Sequence, residues 1–233
     1  MEKTKFYCLF EQSGTFKNEI KKLGGGAKDF DILNDYGQTD CVIDLYNQID
    51  RAYWDVNSIF DKINSDDYIL AFFPCTRFEN QINMQMLGNS KQQKKWSDEK
   101  NLKYNQYLTE GLERNYQVIS RLALICMRRN LRCIIENPAG GCHYLTRNWS
   151  IKPKVIDNNR KLNGDYYKKP TQFFFINCEP KNNNIEPLTE AVEDRKDIGH
   201  VFSQVARSEI SPVYANRFLR RYIAEYKNGK YIL

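Results

Sequence analysis

Residues 68–73, with the sequence YILAFF, form a run that is apolar at every position, which is typical of a strand buried on both faces of a sheet. Further short apolar runs alternate along the chain with segments of helical periodicity. This alternation predicts an α/β fold with a doubly wound, mostly parallel sheet. At 233 residues the chain is most simply one domain, spanning residues 1–233. The predicted strands are residues 5–10, 27–33, 40–45, 68–73, 131–135, 153–156 and 171–177.

The predicted helices lie between these strands. Apolar residues recur at intervals of three and four from Leu108 to Cys126, which predicts a long amphipathic helix ending near residue 129. Ser211 and Pro212 suit the N-cap and first turn of a last helix that packs back on the domain. The other helices are predicted at residues 16–23 and 54–63, and the last at about 212–226.

One segment, about residues 76–103, is rich in Gln, Asn, Lys and Ser and has Gly88 near its middle. A loop of that length inside a compact domain is usually functional or mobile. We therefore expect a mobile loop directly after the strand at 68–73.

Charge and cysteine usage limit the class of protein. The chain has 35 Lys and Arg against 29 Asp and Glu, a net charge of +6 that is compatible with a polyanionic partner. Its seven cysteines are odd in number and form no Cys-x-x-Cys pair, and there are only two histidines, so we expect a reduced, cytoplasmic chain without a metal cluster. There is no signal-peptide pattern, and no apolar run approaches ~20 residues, so we expect no membrane span.

Polar residues follow several of the predicted strands, at the sheet edge where α/β proteins bind ligands. The turn Ser13-Gly14-Thr15 can bring backbone N–H groups and a helix N-terminus to a ligand, although an ordinary tight turn has the same composition. Asp31 is placed to accept hydrogen bonds from ribose hydroxyls, and Asp44 from an adenine amino group. Each aspartate also fits a helix cap or a solvated turn.

The residues best suited to catalysis belong to two motifs, Pro74-Cys75 and Glu136-Asn137-Pro138. A thiol and a carboxyl group on loops beyond neighbouring strands suit addition to an electron-poor ring such as that of cytosine. A thiolate that adds to ring carbon 6 makes carbon 5 enamine-like, and a carboxyl group at ring N3 neutralises the negative charge that develops. Taken singly, Cys75 also fits a small buried apolar residue, and Glu136 a turn carboxylate. Arg77 fits either a contact to the site or to a phosphate, or an exposed surface position.

These residues resemble, in order and spacing, the DNA cytosine-5 methyltransferases, and in particular the short forms found in phages and prophages. The resemblance covers most of the chain and is most specific at Pro-Cys and Glu-Asn-Pro. Two departures stand out: Phe73 replaces a second proline before Pro-Cys, and the family's paired arginines are not clearly matched, so Arg160 is nominated from its place alone. The matching segments are Phe10 with Ser13-Gly14-Thr15, Asp31-Ile32, Asp44-Leu45, Asp67 with Phe73-Pro74-Cys75-Thr76-Arg77-Phe78, Ile135-Glu136-Asn137-Pro138, Lys169-Pro170-Thr171, and Arg207-Ser208-Glu209-Ile210-Ser211-Pro212.

The resemblance implies a sheet of the class I S-adenosylmethionine-dependent methyltransferase type, without the large target-recognition domain of longer relatives. It implies Cys75 as the nucleophile on carbon 6, with Glu136 and Arg160 holding the cytosine. The loop at 76–103 would close over DNA once the base has left the stack. The implied S-adenosylmethionine pocket is lined by Phe10, Ser13, Gly14, Thr15, Asp31, Ile32, Asp44, Leu45 and Pro74, and the implied DNA contacts are Arg77, Lys91, Lys94 and Lys95.

Three other functions remain open at this stage. The same chemistry could act on cytosine in RNA, since no element recognisably reads a sugar 2′-hydroxyl. The fold could also bind DNA or a protein without catalysis, and a protein partner could supply target choice. A nucleotide-dependent dehydrogenase fits less well, because the run Gly24-Gly25-Gly26 follows the first predicted helix instead of preceding it. The implied setting is the cytoplasm of a bacterial or phage-infected cell.

Overall fold

A seven-stranded sheet forms the centre of the protein, seen here in a computed structural model that describes residues 4–79, 81–186, 188 and 208–233. The strand order is β3-β2-β1-β4-β5-β7-β6, and every pairing is parallel except those of β7 with β5 and β6. The predicted α/β fold with a mostly parallel sheet is therefore confirmed. The strands are β1 Lys5–Leu9, β2 Gly26–Asp31, β3 Cys41–Val42, β4 Tyr68–Phe72, β5 Arg132–Pro138, β6 Val155–Asp157 and β7 Thr171–Ile176.

Helices cover both faces of this sheet, as predicted for a doubly wound fold. The helices are α1 Thr15–Lys22, α2 Leu45–Tyr53, α3 Gln81–Met86, α4 Asp98–Arg128, α5 Tyr144–Asn148 and α6 Pro212–Tyr222. Short 3-10 helices lie at Ile59–Lys62, Gln93–Lys95 and Arg160–Asn163, and a hairpin of β8 Glu225–Lys227 and β9 Lys230–Ile232 follows α6. Within the described ranges, no helix is both long and apolar enough to cross a membrane.

The two faces have separate apolar cores because successive strand residues point to opposite sides. In β4, Ile69 packs into the core under α2 and α4, whereas Leu70 packs into the core under α1 and α6. Phe16 of α1 and Phe218 of α6 meet in that second core, with ring centroids 5.9 Å apart. The apolar character of β4 thus follows from burial on both sides.

A topological switch lies between β1 and β4. From β1 the chain continues through α1 on one face, whereas it reaches β4 after α2 on the other face. Connections that diverge in this way leave a crevice beyond the carboxyl ends of the two strands, where open α/β sheets bind ligands.

Two predicted boundaries before β4 are wrong. The strand predicted at 40–45 ends at Val42. The helix predicted at 54–63 is absent, and this range contains only a 3-10 turn at Ile59–Lys62; the helix of this region, α2, lies earlier and ends at Tyr53. The physical cause is Asp44, whose carboxylate accepts a hydrogen bond from the Asn47 N–H at 3.1 Å and so caps α2.

Three later predictions also need correction. The loop predicted at 76–103 contains α3, a 3-10 turn and the start of α4, which is capped by Ser97. Glu136 lies within β5 and not after it, since it pairs with both β4 and β7. The last helix ends at Tyr222 rather than near 226, and the residues after it form the β8–β9 hairpin around Asn228 and Gly229, both with positive φ.

Candidate active site

A cavity of about 250 Å³ opens at the carboxyl ends of β1, β4 and β5, close to the lower end of the ~300–1,000 Å³ range of ligand pockets. It brings together residues from distant parts of the chain, including the thiol and the carboxyl group singled out in the sequence. Eight of the predicted site residues line it: Phe10, Ser13, Thr15, Asp31, Pro74, Cys75, Glu136 and Arg160.

The backbone before Cys75 is held by two side-chain amides. Asn137 Nδ2 donates to the Phe73 carbonyl at 2.8 Å, and the Asn137 side chain is fully buried in β5. Asn115 of α4 donates to the Pro74 carbonyl at 3.5 Å. The Asn of Glu-Asn-Pro therefore fixes the loop that carries the thiol to the strand that carries Glu136.

Phe73, the residue that departs from the family's proline, is buried in an aromatic cluster. Its ring centroid lies 5.1 Å from that of Phe10, 5.9 Å from that of Tyr46 and 6.2 Å from that of Phe78. Offset and edge-to-face ring pairs of this kind add to the stability of a buried contact. Aromatic packing thus supports the loop at this position.

The Cys75 thiol is a hydrogen-bond donor. Its Sγ lies 3.2 Å from Glu79 Oε1, one turn further along the chain. Burial raises the pKa of the Cys75 thiol to about 12, the carboxylates of Glu79 and Glu136 add to that shift, and Lys169 opposes it. At neutral pH the sulfur therefore carries its proton, and it needs an acceptor before it can attack.

Glu136 lies in β5 between Phe72 of β4 and Phe173 of β7, and its side chain is 13% exposed. Burial raises its pKa above the usual value, although the positive charges of Arg160 and Lys169 act in the opposite direction. Arg160 Nη1 lies 3.9 Å from Glu136 Oε1. Glu136 is thus a buried carboxyl group that binds its proton more tightly than a solvated one, beside a fixed guanidinium.

Arg160 is itself buried, with 2% of the residue exposed. It forms an ion pair with buried Asp165, donates to Thr171 Oγ1 at 3.3 Å and lies over the Tyr214 ring at 4.8 Å. Asp165 also accepts from the Ser211 N–H at 2.8 Å. Nominated only from its place in the sequence, Arg160 is thus brought next to Glu136.

The turn between β1 and α1 forms the other end of the cavity. Phe10 has a φ of 60°, a left-handed conformation that is uncommon for a bulky residue and concentrates at functional sites. Gly14 has a φ of 69° at the N-cap of α1, and a Cβ there would lie 3.3 Å from atoms of Gln38 and Lys17. Glycine therefore keeps this turn closely packed.

Two carboxyl groups, buried Glu11 and half-buried Asp31, face this end of the cavity. Glu11, which the sequence argument did not single out, accepts from the Phe16 N–H at 2.8 Å, and burial raises its pKa to about 7. Asp31 accepts from the Leu33 N–H at 2.9 Å, and burial raises its pKa as well. The two residues give this end of the cavity an acidic lining that suits a cationic ligand.

Some predicted cofactor residues do not line the cavity. Ile32 is 62% exposed, Asp44 caps α2, and Leu45 is buried in the core beneath α2. Gly14 belongs to the turn beside the cavity and contributes no side chain to it.

The predicted nucleic-acid contacts lie on the segment after β4. The Arg77 guanidinium lies over the Tyr107 ring at 4.7 Å, and Gly111 leaves room for it, since a Cβ there would be 2.6 Å from Arg77 Nε. Lys91, Lys94 and Lys95 are all exposed. Buried Gln93 anchors their segment by donating to the Gln85 carbonyl at 2.6 Å.

Sequence reasoning missed several polar residues at the site, among them Glu11, Glu79, Asn115 and Lys169. Lys169 was noted only as part of Lys-Pro-Thr, yet it lines the cavity and its charge acts on both Cys75 and Glu136. Glu11 and Glu79 lie in the quoted or neighbouring segments but carry no local pattern of their own. In the part of the chain that the structure describes, no group of three or more His, Cys, Asp or Glu is arranged to hold a metal ion.

No protein-family model matches this chain, and a search of curated proteins also finds no match.

Proposed function

We propose that this chain transfers a methyl group from S-adenosylmethionine to carbon 5 of cytosine in DNA. The observation that carries the proposal is that Cys75, Glu136 and Arg160 line one cavity together with the turn after β1 and the end of β2. A nucleophile, a proton-holding carboxyl group and a fixed cation are the groups that addition to a cytosine ring requires.

The acidic end of the cavity fits the cofactor. S-adenosylmethionine, when bound, supplies an electrophilic methyl group on a positively charged sulfur. Asp31 would accept from a ribose hydroxyl, and the carboxyl groups of Asp31 and Glu11 suit a ligand that carries positive charge. The close-packed turn at Gly14 leads into α1, next to the Phe10 ring. The strand order, with β7 alone reversed, is compatible with the class I methyltransferase sheet.

At the other end of the cavity, this chain's residues would activate the base. The sulfur of Cys75 forms a bond to ring carbon 6, and the proton held by Glu136 passes to N3 as charge develops there. Arg160 keeps Glu136 oriented and stabilises the carboxylate that remains. After methyl transfer, the carbon 5 proton leaves to water, the carbon–sulfur bond breaks and ring N3 returns its proton to Glu136, which restores the aromatic ring and the carboxyl group.

DNA as the substrate is supported by charge and by the position of the basic residues. The chain carries a net charge of +6, and Lys91, Lys94 and Lys95 are exposed on the segment that leaves β4 beside the cavity. The cavity itself has room for an extruded base and not for a duplex, so the target nucleotide would have to leave the stack.

Covalent trapping tests this proposal. Because fluorine at carbon 5 cannot leave as a proton does, DNA containing 5-fluorocytosine should accumulate as an adduct in the presence of S-adenosylmethionine. We expect Cys75→Ala to form no adduct and Cys142→Ala, which removes an exposed free thiol, to form it at the wild-type rate. An adduct mapped to any residue other than Cys75 would remove Cys75 from the mechanism.

The nucleic-acid class is tested in parallel by supplying duplex DNA, single-stranded DNA and transfer RNA with radiolabelled cofactor. Labelling of transfer RNA alone would redirect the proposal to RNA. Binding of DNA without labelling or adduct would favour a non-catalytic protein. Bisulfite sequencing of DNA from cells that express the chain would then give the sequence context.

A further inference from the structure

We propose that Glu79 is the base that removes the proton from the Cys75 thiol, and that it returns this proton when the sulfur leaves the ring. The inference rests on the proposed function and adds a residue to it. It starts from the 3.2 Å contact between Cys75 Sγ and Glu79 Oε1, in which the thiol is the donor.

The contact is built into the local fold. The Phe78 N–H donates to the Cys75 carbonyl at 2.8 Å, which closes a turn and brings Glu79 back beside the thiol. Buried Phe78 is held from the other side, where the Tyr144 N–H donates to its carbonyl at 2.8 Å. The Glu79 carboxylate is therefore positioned by anchored neighbours on both sides of the turn.

The other ionisable groups around the thiol are unsuited to this task. Glu136 faces the same cavity, but its proton-holding carboxyl group is paired with Arg160 and is assigned to ring N3. Lys169 is a cation and cannot accept. His143 is buried, its pKa is lowered to about 4 by burial, and its ring contacts Phe78 and Gln172. Among the described residues, Glu79 is the one carboxylate hydrogen-bonded to the thiol.

The step balances without another reagent. The sulfur–hydrogen bond breaks and its proton moves to Glu79, the sulfur electron pair forms the bond to ring carbon 6, and the ring takes a proton at N3 from Glu136. In the reverse step the carbon–sulfur bond breaks, the Glu79 carboxyl group gives the proton back to sulfur, and ring N3 returns its proton to Glu136. Transfer of the proton during attack lowers the cost that the burial-raised thiol pKa imposes, because a free thiolate never has to form.

Two measurements on Glu79→Gln test the proposal, because they should move in opposite directions. Iodoacetamide reacts with the free thiolate, and the Glu79 carboxylate disfavours that thiolate through its negative charge. Alkylation of Cys75 in Glu79→Gln, read by peptide mass spectrometry, should therefore become about 3- to 10-fold faster. Adduct formation with 5-fluorocytosine DNA should become on the order of 10²-fold slower or more, because the base is gone. Glu110→Gln, an exposed carboxylate on α4, is the matched control and should change neither rate.

Glu79→Asp separates acid–base chemistry from shape. Asp keeps the carboxylate at a shorter reach, whereas Gln keeps the shape without the basicity, so the Asp variant should form the adduct faster than the Gln variant. The proposal would be overturned if the Gln variant formed the adduct as fast as the Asp variant or faster. Slower alkylation together with slower adduct formation in the Gln variant would also overturn it.

The alkylation experiment needs neither nucleic acid nor cofactor, so it stays informative if the chain does not methylate cytosine. In that case, faster alkylation of Cys75 in Glu79→Gln would still support the hydrogen-bonded pair of the Cys75 thiol and the Glu79 carboxylate. An unchanged rate would overturn it.

Discussion

The buried carboxyl groups at the site have different hydrogen-bond and ion-pair partners. Asp165 is ion-paired with Arg160, whereas Glu136 lies 3.9 Å from the same guanidinium and Glu11 accepts from backbone N–H groups at the start of α1. Burial raises the pKa of Glu136 and brings that of Glu11 to about 7. Burial therefore makes Glu136 and Glu11 hold their protons more tightly than solvated carboxyl groups do.

Glu11 should make stability depend on pH. Its pKa rises from 4.5 to about 7 on folding, so its contribution to the free energy of unfolding is complete below pH 4.5 and is lost as pH rises through about 7. Glu11→Gln cannot titrate, so the stability of this variant relative to wild type should increase between about pH 5 and pH 8, by at most about 3 kcal/mol. Urea denaturation at both pH values measures this, with Glu113→Gln as an exposed control. A stability difference that is equal at both pH values would show that Glu11 does not titrate in this range.

Asn137 should stabilise the thiol loop. Its amide donates to the carbonyls of Phe73 at 2.8 Å and Glu136 at 3.1 Å. Asn137→Ala removes the side-chain donor to the buried Phe73 carbonyl, so we expect a loss of about 1–3 kcal/mol in the free energy of unfolding, measured by chemical denaturation. Exposed Asn148→Ala should change stability by less than about 0.5 kcal/mol. A loss no larger than that of the control would mean that the loop is held without Asn137.

At the scale of elements, the strands were predicted well and the segments between them poorly. The strand β4 and the core-facing part of α4 were predictable because burial imposes a local pattern of apolar residues. The start of α2 was missed, since Asp44 reads equally well as a strand end. The β8–β9 hairpin carries the dipeptide Asn228-Gly229, a turn signal that could have identified it.

The same contrast holds for the site. The place of Cys75 and Glu136 at one edge of the sheet was predictable because their motifs are specific: Cys75 follows β4, and Glu136 lies near the end of β5. The contacts of Glu79 and Asn115 depend on a turn and on helix packing, which no spacing in the sequence reveals. Arg160 was located only approximately, because its ion pair with Asp165 forms through the folded structure.

Asp44 offers a test at the scale of a helix terminus. As the cap of α2, it should contribute about 1 kcal/mol to the free energy of unfolding, which Asp44→Ala removes and Asp44→Asn retains within a few tenths. Since Asp44 does not line the cavity, neither variant should change the affinity for S-adenosylmethionine, measured by calorimetry. Weaker cofactor binding by the stable Asn variant would instead support the original prediction that Asp44 contacts the adenine.

At the scale of the whole molecule, the helix α4 extends beyond the sheet next to the site. Its 31 residues span about 46 Å, about twice the length of the seven-residue strand β5 that follows it. Residues of α4 from Leu112 onward pack against the core of the sheet, whereas most residues at 98–107 are exposed. The first turns of α4 therefore project past the carboxyl ends of the strands, and α3 with its basic segment packs against them.

From this projection we expect DNA phosphates to contact the basic segment that packs against the first turns of α4. Replacing Lys91, Lys94 and Lys95 together by Gln should weaken DNA binding and reduce the slope of log affinity against log salt by about 2–3, because each phosphate contact contributes about 0.9 on duplex DNA. The matched control replaces Lys21, Lys62 and Lys230, which are exposed near the amino ends of the strands, and it removes the same charge. Filter binding over a range of salt concentrations measures both slopes.

The two triple variants distinguish a defined DNA face from overall charge. If the duplex lies against the basic segment beside the cavity, only the first variant loses slope, and its alkylation of Cys75 stays at the wild-type rate because the site is untouched. Equal losses in both variants would mean that the net charge of +6 attracts DNA without a preferred face. The flipped base would then have to reach Cys75 from another side of the molecule.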